Sequence, residues 1–209
     1  MRAASNHRLS VVSLLLAFSL AFVSSCISHR IPRFGIGGRY LEGKEVLTIQ
    51  RGGNVNKAIV ALESVVRQDP TYRDSLTLLG WAYYRKGRYQ DALQILQRAL
   101  AVNKVDEIAW LVLGLTQLRL GADQDGMNSV KGGITLLGRA STDGYRGYEN
   151  WDSTGIVRKA IRRSIKAIRT KGLEDKKRVI RSMEIALQRV AEEEREQVRE
   201  EDMKELRER

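Results

Sequence analysis

Apolar residues recur along much of this chain with helical spacing. Around the stretch "LLGWAYYRKGRYQDAL", Leu78 to Leu93, the positions Leu76, Leu79 and Tyr83 lie three and four apart and share one helix face. The pattern stops at Gly87 and restarts with Ala92, Leu96 and Ala99. That predicts two helices joined by a short turn, because glycine enters the left-handed conformation that ends many helices. Further on, Val157, Ile161, Ile165 and Ile168 recur at spacings of four, four and three, predicting a helix from Ile156. Val179, Ile180, Met183, Leu187 and Val190 predict one more. The final "EEEREQVREEDMKELRER" is too poor in apolar residues to pack and reads as a fraying, salt-bridged helical tail.

The helix pair is not unique. A shift of thirty-four residues carries Gly80 onto Gly114, Arg85 onto Arg119 and Gly87 onto Gly121. The opposite shift places Arg51 and Gly53 at the offsets of Arg85 and Gly87, and Ala58 and Leu62 at those of Ala92 and Leu96. One period therefore governs three copies, which identifies a stacked repeat. Small residues at Gly80 and Ala92 let two antiparallel helices approach closely, and Leu79, Tyr83 and Leu96 fill the sides of that contact. Asp69 before Pro70 ends a second helix, since proline restricts the residue before it.

Leu76, Leu79, Gly80, Tyr83, Ala92, Leu96 and Ala99 in the middle copy, and Trp110, Leu113 and Gly114 in the third, resemble the tetratricopeptide repeat family. The third copy has Gln117 in place of Tyr and Gly126 and Gly133 in place of Ala; the first has Glu42, Glu45 and Val46 in place of Trp, Leu and Gly. The resemblance covers about half the chain and implies an all-α fold, a short helical solenoid of about three repeats over residues 39–138 with further C-terminal helices. It also implies a concave groove lined by the first helix of each repeat, which holds a protein or peptide partner. Trp81, Tyr84, Leu111 and Leu115 fall at its inward offsets, and Arg51, Arg85 and Arg119 at the inner C-terminal end of each first helix. Guanidinium groups there suit an extended segment bearing carboxylates, because each can grip a carboxylate through two hydrogen bonds. The same arginines can equally serve as cations at the negative end of a helix.

The N-terminal segment follows a different pattern. Arg2 and Arg8 precede an apolar run from Val11 to Val23, and Ser24, Ser25 and Cys26 close it. The run is short for a membrane span and reads as a secretory signal over residues 1–25. "VSSC" is similar to the lipobox of bacterial lipoproteins, which implies acylation of Cys26; an ordinary cleaved signal or an uncleaved anchor are the alternatives. Cys26 is the only cysteine, so no disulfide forms within the chain. Residues 26–38 read as a tether from lipid to repeats. Ile27 after the cysteine, in place of Asp, favours an outer-membrane lipoprotein facing the periplasm of a bacterial cell envelope.

The formal charge of +11 invites a nucleic-acid reading, which export from the cytoplasm opposes. Much of the excess sits on the helix from Ile156, where Arg158, Lys159, Arg162, Arg163, Lys166 and Arg169 form a basic face opposite the apolar one. That face either lies on a membrane surface or polyanion, or is the solvated outside of a helix capping the stack. The connector 139–155 supplies Tyr145, Tyr148 and Trp151 as candidate caps, and residues 156–209 form the C-terminal helices. Catalysis and metal binding have little to work with. The only histidines are His7 and His29, outside the repeats. Asp123, Asp125 and Gly126 resemble the start of a calcium loop, but Ile134 stands where its closing Glu belongs. Gly35, Gly37 and Gly38 lack the flanking strand and the Lys-Ser/Thr of a nucleotide loop. The expectation is a non-catalytic scaffold with no cofactor, small-molecule substrate or nucleic-acid ligand.

Overall fold

A computed structural model of the chain describes residues 35–48, 53–142, 145–148, 150–170 and 172–208. Among them are eight α-helices and no strand. Six form three antiparallel pairs: α1 (Gly35–Thr48) with α2 (Val55–Gln68), α3 (Ser75–Lys86) with α4 (Tyr89–Val102), and α5 (Glu107–Leu120) with α6 (Asp123–Ala140). Two more follow, α7 (Ile156–Thr170) and α8 (Lys176–Glu208). These residues belong to one compact unit, Gly35–Arg209.

Local chemistry sets the helix ends. Asn54 caps α2 by accepting from the backbone N–H groups of Asn56 and Lys57, and Asp106 caps α5 by accepting from Ala109 N at 2.8 Å. Gly87 and Gly121 terminate α3 and α5 with φ of 80° and 86°, a region that other residues enter at a cost. Each leaves only a two-residue turn to the next helix. Asp69, extended and followed by Pro70, ends α2.

Within the second and third pairs the contact is as close as backbone allows. A Cβ on Gly80 would stand 2.5 Å from Leu96 Cγ, and one on Gly114 would stand 2.6 Å from both Val130 Cγ2 and Val130 N. The third pair adds Gly126 and Gly133 on α6, whose added Cβ atoms would meet Leu118 N at 2.8 Å and Leu111 N at 2.7 Å. The first pair differs from the strict period, which puts Val46 at the small position. Gly43 takes it, and a Cβ there would stand 2.6 Å from Leu62 Cγ. The connection explains the slip: Gly43 precedes the start of α2 by twelve residues, whereas Gly80 and Gly114 precede their partner helices by nine.

Two expected boundaries are corrected. Residues 35–38, expected in the tether, are the first turn of α1, where partly buried Ile36 and, four residues on, buried Tyr40 pack into the core. Tyr40 also meets the Tyr72 ring edge-on at 5.5 Å and donates to Asp74 at 2.6 Å. The charged end, expected as a helical tail too poor in apolar residues to pack, is helical as the last part of α8, a helix of 33 residues and so about 50 Å long, but its first turns do pack. Its Glu194 and Gln197 are buried. The acidic run packs because its partners lie on distant elements: Glu194 pairs with Arg146 at 2.8 Å and Lys44 at 3.6 Å, Glu193 accepts from Asp152 N, and Gln197 donates to Asn150 O.

The connector supplies the joint. Buried Tyr145 and Trp151 pack with centroids 4.2 Å apart and their planes tilted by 30°, and Tyr145 donates to Glu107 at the start of α5. The fully buried Asp152 carboxylate accepts from Val157 N and Arg158 N and so starts α7. From there α7 packs on α6 and α8 through Val157, Ala160, Ile161, Ser164 and Ala167.

Candidate partner-binding groove

The first helices of the pairs, α1, α3 and α5, form the inner layer, and α8 packs against it. Two sets of contacts fix its direction. Glu184 accepts from Tyr84 and Arg119 in the last turns of α3 and α5. Ten residues later, Glu194 meets Arg146, which also pairs with Asp74 before α3 and lies 3.9 Å from Glu107 in the first turn of α5. The helix α8 therefore runs antiparallel to α3 and α5, along the groove that the repeats create. Met183, Leu187, Val190 and Ala191 supply its apolar face.

That placement sorts the seven residues expected to bind a partner. Trp81, Tyr84, Arg85 and Arg119 come together around a cleft of about 370 Å³, walled on the α8 side by Glu184, Leu187 and Gln188. Tyr89, at the start of α4, completes the aromatic side with its ring 5.6 Å from that of Tyr84. Leu111 and Leu115, expected on an open floor, are fully buried and do not line the cleft. Leu111 is drawn against α6 by Gly133, whose missing Cβ leaves room for its backbone and Cγ. Arg51 and Cys26 lie outside the described residues.

The two described arginines, alike in the repeat, have different partners. Arg85 donates to Leu47 O at 2.5 Å, closing the C-terminal end of α1. It is a cap on a neighbouring helix. Partial burial lowers its guanidinium pKa, and the group lines the cleft that a carboxylate would enter. Arg119 donates to Glu184 at 3.0 Å and to Tyr84 Oη at 3.4 Å, and Tyr84 itself donates to Glu184 at 2.5 Å. These contacts hold the Arg119 proton more tightly than usual, the Tyr84 bond first. Burial and the bond to Glu184 push the Tyr84 hydroxyl up. Together the groups make a carboxylate receptor, filled by a side chain of the same protein.

Sequence reasoning missed Tyr89, Glu184, Leu187 and Gln188. Tyr89 was legible as an aromatic just after the turn glycine. The α8 residues were not, since Glu184 follows Tyr84 by one hundred positions. The six cations of α7 lie apart from the cleft. Arg158 pairs with Asp152 at 3.2 Å, whereas Lys159, Arg162, Arg163, Lys166 and Arg169 are exposed and make no ion pair with a described residue. No group of three His, Cys, Asp or Glu side chains suited to a metal ion occurs among the described residues, and no helix there is long and apolar enough to cross a membrane.

Residues 51–115 match the family model for the tetratricopeptide repeat. The match spans α2, α3, α4 and the first half of α5, where the Gly80–Leu96 contact and the aromatic side of the cleft lie. No curated protein and no solved structure was found to match the chain.

Proposed function

We propose that this protein is a non-catalytic scaffold that captures a carboxylate-bearing segment of a protein partner at the cleft of Trp81, Tyr84, Arg85, Tyr89 and Arg119. Tetratricopeptide repeats generally mediate protein–protein interaction, and the all-helical repeat fold suits a scaffold. The observation that carries the finer reading is Glu184, whose carboxylate takes one hydrogen bond from Tyr84 and another from Arg119. A site that binds a carboxylate intramolecularly has the donors to bind one from outside, provided the newcomer competes with Glu184. The place of action we propose is the bacterial cell envelope, with Cys26 acylated at an outer membrane and the repeats in the periplasm. The N-terminal pattern of the sequence supports that part.

A photo-crosslinking side chain at Gln188, on the cleft wall, tests the proposal in intact envelopes. One partner should be captured by the otherwise unaltered chain, lost when Arg85 and Arg119 are both changed to Gln, and more readily captured with Glu184→Gln. Capture indifferent to all three substitutions would overturn the cleft reading. Replacing Cys26 by Ser should separately abolish labelling by a fatty-acid analogue, and unchanged labelling would remove the anchor.

A further inference from the structure

The charge of the chain is concentrated in one place. Residues 156–181 hold eleven Lys and Arg against two carboxylates, Glu174 and Asp175, a net of nine of the chain's eleven positive charges. The helix α7 has no acidic residue at all. Two of these cations are neutralised within the fold, Arg158 by Asp152 and Lys176 by Asp123. Lys159, Arg162, Arg163, Lys166 and Arg169 on α7, and Lys177, Arg178 and Arg181 on the first two turns of α8, stay exposed and form no ion pair with a described residue. Like charges gathered this densely set up a positive potential over the face, which draws an anionic surface towards it.

The apolar side of α7 is already used against α6 and α8. Only the cationic side is offered outward. Exposed apolar groups mark its two ends: Ile156 starts α7 with 45 % of its surface exposed, and Leu173, in the turn that joins α7 to α8, has 44 % exposed between Arg169 and Lys177. No aromatic residue follows Trp151, so this part of the chain has no platform on which nucleic-acid bases could stack.

We infer that the outer face of α7, with the first turns of α8, docks on the headgroups of an anionic phospholipid bilayer. Lysine and arginine near such a surface are drawn to it, and a partly exposed leucine at the edge of the face can enter the headgroup boundary. The α7–α8 joint then lies against the membrane. This inference does not depend on the cleft.

Co-sedimentation of the full chain with vesicles tests it, one set of phosphatidylcholine alone and one containing phosphatidylglycerol. The N-terminal segment, with its apolar run and its own arginines, is the same in every variant, so the part of the difference that substitutions on α7 remove reads the basic face. Binding should be at least tenfold stronger to the anionic vesicles, fall with added salt, and lose that advantage when Arg162, Arg163 and Lys166 are changed together to Glu. The neutral set Arg162→Gln, Arg163→Gln and Lys166→Gln should give an intermediate loss, and circular dichroism should show both variants folded. Leu173→Ser should weaken binding a few-fold on its own. Equal binding to the two vesicle types, or an anionic preference untouched by the triple substitution, would overturn the inference. So would binding to duplex DNA that the substitution abolishes while vesicles are ignored, which assigns the face to nucleic acid.

Discussion

The two helices that close the chain handle charge in opposite ways. The helix α7 buries only apolar and small residues and turns its cations outward, all but Arg158 without an ion pair to a described residue. The helix α8 carries carboxylates into the protein and matches each: Glu184 with Tyr84 and Arg119, Glu193 with Asp152 N, Glu194 with Arg146 and Lys44. A run of charge therefore says nothing by itself about exposure; what decides is whether other elements present complementary groups at the right distance. On α8 those groups come from α1, α3, α5 and the connector, so the helix is held by position-specific contacts along its length. On α7 only Arg158 is held, by Asp152, and the other five cations form no ion pair with a described residue.

The largest test of that contrast is Leu187→Asp, which puts a carboxylate at a position only 2 % exposed, between α8 and the inner helices. It should cost at least about 3 kcal/mol in urea denaturation, because an unpaired charge in apolar surroundings must be rehydrated or protonated. A cost under about 0.5 kcal/mol is what a loosely attached helix would give. Next comes Arg146→Met. Arg146 sits between Asp74, Glu107 and Glu194; burial alone would lower its pKa, but Tyr145 and these three carboxylates together raise it. Removing the cation leaves three neighbouring carboxylates of which, among the described residues, only Glu194 keeps a cation, Lys44, and should cost about 1–3 kcal/mol.

Alkaline pH reaches the same contacts through tyrosine. Tyr40, Tyr83, Tyr84 and Tyr145 each donate to a carboxylate, and burial first, with those carboxylates, raises all four; Tyr83 is pushed up to about 12. In the unfolded chain tyrosine ionises near pH 10. Because the folded values are raised, the contribution is complete below about pH 10 and lost as pH climbs through the folded values. The thermal midpoint should drop by a few degrees between about pH 10 and 12, and Tyr84→Phe should make the drop shallower. The smallest effect belongs to α7: changing Arg162, Arg163 and Lys166 together to Glu should move stability by no more than about 0.5 kcal/mol, since solvent screens them all.

Much of the repeat was readable because its turns are short and its close contacts demand glycine. Gly80 and Gly87, repeated at Gly114 and Gly121, mark both the contact and the turn in pairs two and three. In the first pair the longer connection moves the small position from Val46 to Gly43, and a fixed period cannot register a local insertion. Of the groove, the residues Trp81, Tyr84, Arg85 and Arg119 were legible from their offsets, and the structure gathers them around one cleft. Its cover was not. Nothing near Glu184 in sequence indicates Tyr84 or Arg119, and nothing in the acidic run indicates Arg146. Contacts between segments a hundred residues apart leave no periodic trace when each pair is made once.

Hydrogen exchange along α8 tests the central claim, that this helix occupies the groove of its own repeats, most directly. The account predicts that amides from Val179 to Ala191 exchange as slowly as those in the middle of α3 and α5, and that protection fades beyond Val198, where exposed side chains take over. Rapid exchange throughout α8, with α3 to α6 still protected, would contradict it and leave the groove open.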